Sequence, residues 1–381
     1  MPNTLTGLIP NLYEAMDVVS RELIGLIPSV THDMSAARAA VGQNIVSFVA
    51  PASTSQAITP GVTAPNTGDQ TIGTVPWTIT NAESVPVRWN GEESRSLDNG
   101  SFGRRRIMID QFAQAMRTLT NKIELMGAQA AYVGASRAFG TPGTTPFATD
   151  VSGTARVRKI LDDNGAPPND RSLIIDTSAG ANLRTLQNLT RASEAGTTDI
   201  LRQGVLLDLH GFALRESAQI VTATKGTGAA YTSNTAGYAV GATNITLITG
   251  TGTVLAGDLV QFAGDSNIYV VKTGVSAPGT ITLAAPGLRV AIPAAATALT
   301  VLNTATRNIG FSRNAIALAT RAPAVPEEGD MADDAVIITD PKSGLAFEVR
   351  LYKQYRQVLY EVAIAWGWVV MKPEHLAVLA G

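Results

Sequence analysis

The chain has 381 residues, of which 45% are hydrophobic and 16% charged, with a formal net charge of −2. This length fits two or three domains with cores of their own, and sparse charge suits a chain that buries much of its outside against copies of itself; the near-neutral balance excludes a continuous grip on nucleic acid by counterion release. The lack of cysteine excludes disulfides, thiolate metal sites and cysteine nucleophiles, and is compatible with folding in a reducing cytoplasm.

No basic start followed by a long apolar run stands at residues 1–10, so no signal peptide is expected. No stretch approaches about eighteen continuous apolar residues, so no membrane span is expected. Leu12, Ala15, Met16, Val19, Leu23 and Ile27 recur at helical spacing until Pro28. Residues 45–49 read as a strand, followed by a long stretch rich in Pro, Gly, Thr and Ser. Two strands, 75–80 and 84–90, are expected around a turn at Asn81-Ala82-Glu83, and Pro76 and Pro86 place them at edges. Trp77 and Trp89 sit on this hairpin. They either contact a partner or pack on the domain beneath.

From 98 to about 136, Ile109, Phe112, Met116, Leu119, Ile123, Met126, Ala130 and Val133 alternate spacings of three and four. This predicts one helix of about 55 Å with a narrow apolar seam. A coiled coil would read similarly, but the seam holds Met and Ala, which favours a spine lying across a sheet. A turn cluster at 140–146 marks a boundary. A helix is expected over 151–163, closed by Asn164-Gly165, then a strand at 172–175 and a helix capped by Thr177 or Ser178 and running through Leu189. Strands at 205–209 and 212–215 meet near Gly211, giving a mixed α/β unit.

Helix signals vanish from about 222 to 306. Short strands at 244–248, 259–262, 268–272 and 280–283, separated by glycines, suggest a small β-barrel or sandwich. An apolar strand at 315–320 resumes the earlier character, so the β region reads as an insertion. Residues 345–370 read as long strands, with Trp366 and Trp368 in a segment apolar on both faces, placed under the spine helix.

Little in the chain points to catalysis. The three histidines, His32, His210 and His375, lie in different regions without metal-site spacing. No Gly-x-Ser-x-Gly elbow occurs. The glycine-rich 250–257 segment lacks the Lys and Ser/Thr of a phosphate loop and precedes a strand, so it reads as a hairpin turn. Glu327, Glu328, Asp330, Asp333 and Asp334 form an acidic loop, read as solvated and without calcium-loop spacing. Arg104, Arg105 and Arg106 stand at the start of the spine helix, where the helix dipole disfavours cations. That placement points to partners: Glu92 and Glu93 locally, carboxylates on another subunit, or phosphates.

The order of parts, with Ser101-Phe-Gly-Arg-Arg-Arg-Ile-Met-Ile109 leading into 119–125, the 257–264 segment with Tyr269 and 284–287, the 343–349 run and Trp366-Gly-Trp368, resembles the tailed-phage capsid fold named after phage Hong Kong ninety-seven. Within it, the chain looks like short-tailed-phage coat proteins carrying an inserted β-domain. The resemblance implies an α+β fold with an N-terminal arm at 1–44, an extended loop at 45–97 and a spine helix with peripheral domain at 98–149. It further implies an axial domain at 150–221 and 307–342, a β insertion at 222–306 and closing peripheral strands at 343–381. The implied function is a non-enzymatic major capsid protein without cofactor or metal. It would assemble in the host cytoplasm as hexamers and pentamers into a virion shell, with a scaffolding protein and a portal. The shell would enclose double-stranded DNA without sequence-specific binding. Trp77, Trp89, Glu92, Glu93 and Arg104 to Arg106 are the expected subunit-interface residues. The alternative is a cellular nanocompartment shell, encapsulin-like and of the same fold. An α/β hydrolase or a β-rich decoration protein fits the motifs and helix content less well.

Overall fold

The computed structural model describes residues 9–19, 23–34, 38–49, 55–58, 60, 68–98, 103–186, 208–340 and 343–381. The chain opens with helix α1 (Ile9–Val19), strand β1 (Thr31–Met34), a two-stranded ribbon of β2 (Asn44–Val49) and β3 (Gly73–Thr78), and the long strand β4 (Asn81–Asn90). Two helices follow, α2 (Gly91–Asp98) and α3 (Gly103–Gly134), then β5 (Arg137–Gly140), α4 (Ser152–Asp163), β6 (Arg171–Ile175), α5 (Thr177–Thr185), β7 (Ala213–Glu216) and β8 (Thr222–Ala223). Six short strands come next: β9 (Ala229–Ser233), β10 (Asn244–Thr251), β11 (Leu259–Phe262), β12 (Ile268–Thr273), β13 (Thr280–Leu283) and β14 (Ala298–Val301). The chain closes with β15 (Ala305–Ser312), β16 (Ile316–Arg321), β17 (Ala332–Thr339), β18 (Ala346–Gln354), β19 (Gln357–Val370) and β20 (Leu376–Ala380).

Helix α3 is the spine the periodicity predicted, 32 residues or about 48 Å long. It starts later than expected because α2 is a helix of its own. Ile109, Phe112, Met116, Leu119 and Ile123 are buried as the seam requires. Beyond them the buried stripe moves to Gly127, Ala128, Ala131 and Gly134, and Met126 and Val133 are half-buried. A strict spacing of 3.5 drifts around a straight helix of 3.6 residues per turn, so the seam cannot stay on one face. The helix lies across β4 and β19 and not against another long helix. Phe112 meets Tyr360 of β19 edge-on, with ring centroids 5.4 Å apart.

The sheet beneath has the order β1-β16-β19-β18-β17, with β4 pairing along the other side of β19. Ten of the 14 residues of β19 run antiparallel to β4, from Gln357↔Asn90 to Trp366↔Asn81. Residues 81–83 therefore form the start of a strand and not a turn, and 75–80 and 84–90 are not a hairpin. β3 pairs instead with β2. Pro76 and Pro86 do lie on strands with a free side, since a residue without N–H cannot sit inside a ladder.

A second sheet runs β5-β20-β15-β6-β7, with β8 also on β15. Helices α4 and α5 cover it through Val157, Ile160, Leu161, Ala179 and Leu183, which pack on Leu173, Ile175, Leu214 and Leu379. The cap of α5 is Asp176, whose carboxylate accepts from Ser178 and Ala179 N–H, one residue before the expected Thr177. The expected helix end near Leu189 and the strand start at 205 lie outside the described residues. Sheet membership also departs from the expected boundaries. β20, in the 343–381 segment, sits in the middle of this second sheet, whereas β16 and β17, in the 307–342 segment, belong to the first.

The β region forms a ring. β9 pairs with β10, β10 with β13, β13 with β12, β12 with β11, β11 with β14, and β14 with β9. It is a closed six-stranded antiparallel barrel, which leaves no open edge within the ring. Its inner core holds Tyr231, Ile245, Leu247, Val260, Phe262, Tyr269, Val271, Ile281 and Leu283, while Leu259 of β11 and Val270 of β12 are buried in the core of the body.

Candidate assembly surfaces

Period-two alternation gives the β2–β3 ribbon two faces. Ile45 and Trp77 turn inward. Trp77 is 4% exposed, packs with Ile79, Ala317, Ala319 and Ala365, and donates its indole N–H to Gly367 O at 3.1 Å. Val46 and Phe48 turn outward, 51% and 76% exposed, and Ile72 just ahead of β3 is exposed as well. Neither strand carries a charge. The ribbon thus presents an apolar outer face that nothing else in the described chain covers.

Trp89 is 9% exposed and donates to Gln111 Oε1 of α3 at 2.9 Å. Both expected aromatic anchors are thus held in the chain's own core, which leaves little of either indole to offer a neighbour. Pairing of β3 with β2 and of β4 with β19 brings this about, and neither pairing follows from the local sequence. Glu93 closes a capping box at the start of α2: its N–H donates to Asn90 Oδ1 at 2.7 Å, and Asn90 N–H donates to Glu93 Oε2 at 3.1 Å. Glu92 and Arg106 are exposed, and none of the described ion pairs joins Arg106 to Glu92 or Glu93. Arg104 and Arg105 lie in the first turn of α3, and their side chains lie outside the described set.

Beside α2 and the tip of the β18–β19 hairpin opens a groove of about 820 Å³. Trp89, Met108, Val358 and Tyr360 line it together with Glu92, Lys353 and Arg356. Arg356 takes the left-handed conformation at the hairpin turn, φ 56°.

The segment after α1 is strapped to the body from within the chain. Glu124, fully buried in the middle of α3, accepts the N–H groups of Gly25, Leu26 and Ile27 at 2.8, 2.7 and 2.9 Å. Burial pushes its carboxyl up, against the downward pull of those hydrogen bonds and of Ser217. The residues before Pro28 are therefore not one continuous helix. α1 ends at Val19, Leu23 is exposed, and Ile27 sits in a short turn fixed by Glu124. Arg38 forks onto the buried Glu348 at 2.9 and 2.5 Å, and Arg321 pairs with Asp33 at 2.8 Å. Sequence reasoning missed Glu124, although a lone carboxylate on the buried stripe of α3 was the available signal.

The acidic loop resolves into ion pairs. Asp333 and Asp334 belong to β17, Asp330 pairs with Arg350, and Lys353 Nζ lies 2.8 Å from Asp333. No group of His, Asp and Glu suited to a metal occurs among the described residues. His32, His210 and His375 stay apart: His32 is against Ile27 O, His210 against Thr154 Oγ1, and His375 in a turn before β20. Burial lowers both His32 and His375. The 250–257 segment is not a hairpin turn: Gly250 lies on β10, and the rest crosses to β11, which pairs with β12 and β14 and not with β10. None of the described helices is long and apolar enough to cross a membrane.

The fold, a spine helix over a mainly antiparallel sheet with an apolar-faced ribbon and a neighbouring mixed sheet, is shared with a solved phage capsid chain. The chain is similar to one in the capsid of the cyanophage P-SCSP1u, with 12% identity, 94% of this chain and 88% of that chain covered, and a TM-score of 0.52. Chains of Gordonia phage Cozz (13% identity, 94% and 87% covered, TM-score 0.48) and of a virus-like particle from Pyrococcus furiosus (9%, 96% and 96%, TM-score 0.43) are also matched. No protein-family model matches the sequence, and no curated protein does.

Proposed function

We propose that the chain is the major coat protein of a tailed phage, built on the Hong Kong ninety-seven fold, and that copies assemble as hexamers and pentamers into the shell of the virion. The supporting observation is the ribbon's uncovered apolar face, around Val46 and Phe48, on a chain that also carries a separate open groove. A knob and a recess at different places on one subunit favour head-to-tail contacts, and these close into rings when the rotation is right. In this reading the ribbon of one copy lies in the groove of the next, between α2 and the β18–β19 hairpin. The ribbon region 44–78 has Asp69 as its charge, and Arg356 on the groove offers it a partner. Arg104 to Arg106, at the start of α3, meet carboxylates of the same neighbour. Each contact is modest, and closure of the shell makes it effectively intramolecular.

The proposed division is an arm, the ribbon loop, a peripheral unit of α3 with the β19 sheet, an axial unit of the β15 sheet with α4 and α5, and the inserted barrel. A scaffolding protein, a portal and packaged double-stranded DNA are the proposed partners, with assembly in the host cytoplasm. The near-neutral charge suits a wall that does not trap DNA.

The test is electron microscopy of the overexpressed chain with its scaffolding protein, for wild type, Phe48→Ser with Val46→Ser, and Arg104, Arg105 and Arg106→Ala. Both variants should keep the far-ultraviolet spectrum of the folded chain and lose particle yield by roughly tenfold or more, the factor set by about 1.4 kcal/mol per contact. Normal shells at wild-type yield from both variants would refute this assembly mode.

A further inference from the structure

One imidazole takes part in seating the amino-terminal segment on the body. His32 lies on β1, which pairs in parallel with β16 at His32↔Leu318. Its Nε2 is 2.5 Å from Ile27 O, in the same turn whose N–H groups Glu124 holds from the other side. A carbonyl oxygen only accepts, so Nε2 carries the proton and Nδ1 is bare. Nδ1 is buried and has no hydrogen-bond partner among the described residues. One hydrogen bond thus fixes the tautomer, and the second ring nitrogen is closed off from water.

The surroundings hold no ready acceptor for a proton on Nδ1. Arg313 acts on the ring from the short turn Arg313–Ala315 ahead of β16, where Thr31 Oγ1 donates to Arg313 O at 3.2 Å, and its charge repels an imidazolium. Asp33, the next residue, points to the opposite face of β1 and pairs with Arg321 of β16 at 2.8 Å. Glu124 of α3 is committed to the amides of Gly25, Leu26 and Ile27. Burial, opposed by the Ile27 hydrogen bond and joined by the Arg313 charge, holds the imidazole below its ordinary range.

We infer that His32 makes the seat of the amino-terminal segment acid-labile: a proton on Nδ1 puts a cation and a donor without an acceptor beneath the turn at 25–29, and that turn opens together with β1. A buried donor left unpaired carries its full desolvation cost, and a charge adds to it. The β1–β16 ladder and the Arg321–Asp33 pair oppose the opening, so it is local and reversible, and α1 keeps its packing on α3 through Leu12, Ala15 and Met16. The fold favours the neutral ring. Its contribution is therefore complete above an unfolded value near 6.5 and is lost as pH falls toward the folded one. Glu124, on the same turn, works in the opposite sense, since its raised carboxyl favours the fold at low pH. Weakening of this turn in acid is thus assigned to His32. The inference concerns the single chain and holds or fails independently of shell assembly.

Hydrogen exchange on the full chain tests it, read as protection factors at the Leu26, Ile27 and Ser29 amides and at those of β1, at about pH 7.5 and about pH 5.5 on either side of the free imidazole value. Wild type is compared with His32→Gln, whose side-chain amide can still donate to Ile27 O but does not titrate. Protection in wild type should fall by roughly threefold or more in acid, and in the variant it should stay level. His375 is unchanged in both chains, so its own titration cancels in the comparison. The midpoint of His32 itself, followed by NMR at its Cε1–H in wild type, should lie below about 6.5, and it decides the matter should His32→Gln not fold. A midpoint at or above that value, no fall in wild type, or equal falls in the two chains would overturn the assignment.

Discussion

Replacing Glu124 with alanine strips the acceptor from three backbone N–H groups at once, those of Gly25, Leu26 and Ile27. All three are buried against α3, where water cannot replace the carboxylate. A buried donor left unsatisfied costs about 1–3 kcal/mol. The carboxylate's own desolvation cost disappears with it and offsets part of the loss, so the net destabilisation should be about 3–5 kcal/mol. Glu124→Gln keeps one oxygen for Gly25 and Leu26 but turns an NH2 toward Ile27 N–H, and should cost about 1–2 kcal/mol. The assay follows from where the tryptophans lie. Trp77, Trp89, Trp366 and Trp368, all four in the chain, stand on β3, β4 and β19 beneath α3, so urea unfolding followed by tryptophan fluorescence reports this unit and not the barrel. Because burial raises the Glu124 carboxyl, the folded chain holds that proton to higher pH than the unfolded chain. Its contribution is therefore fully present below the unfolded value and is lost as pH rises through the folded one. Glu124→Gln should remove this slope. An alanine variant within about 1 kcal/mol of wild type, or a glutamine variant worse than alanine, would refute the reasoning.

Gly127→Ala should weaken the same unit by about 1–3 kcal/mol in the same urea assay, since a Cβ there collides with the Trp368 ring, itself fixed by an indole N–H donated to Ile123 O at 3.0 Å. In the barrel, Tyr269 is pushed up to about 12 by burial first and then by Asp265, whose Oδ2 accepts its hydroxyl at 2.5 Å. The fold favours the neutral phenol, so the stability it adds is complete below an unfolded value near 10 and is lost as pH rises toward 12, about 2–3 kcal/mol in all. Calorimetric melting temperatures should fall more steeply over that range in wild type than in Tyr269→Phe, and parallel falls would reject the assignment.

Elements fixed by local pattern were legible in the sequence. The strands at 259–262 and 280–283 and the helix at 151–163 carry their own alternation, caps and glycine stops, and the structure places them within a residue or so. What could not be read is what depends on distant partners. β17 looks like an acidic loop because Asp333 and Asp334 lie on a strand whose cations, Lys353 and Arg350, come from β18. β20 is five buried residues with no alternation, so nothing local distinguishes it from a tail. The strands of Trp77 and Trp89 do not form the expected hairpin for the same reason: β4 finds its partner in β19, some 270 residues later in the chain. The capping box of Asn90 and Glu93 carries a local signature, an Asn followed three residues later by Glu, but from the sequence alone Glu93 reads as a partner of the arginine run instead. Of the expected interface residues, then, the tryptophans are committed inside, Glu93 to a helix end, and Glu92 and Arg106 remain exposed.

That division has a physical consequence for assembly. The features that could have joined copies by exchange, the segment after α1 and the large aromatics, are secured within the chain by Glu124, by the Arg38–Glu348 fork and by the β19 ladder. Among the described residues, a short apolar ribbon and a groove face outward, small enough for reversible contact and directional enough for ring closure. The barrel adds almost no charge to this surface: across 222–306 the ionisable residues of Asp, Glu, Lys and Arg type are Lys225, Asp258, Asp265, Lys272 and Arg289, and both acids are buried. Copies set side by side through this unit meet little like-charge repulsion.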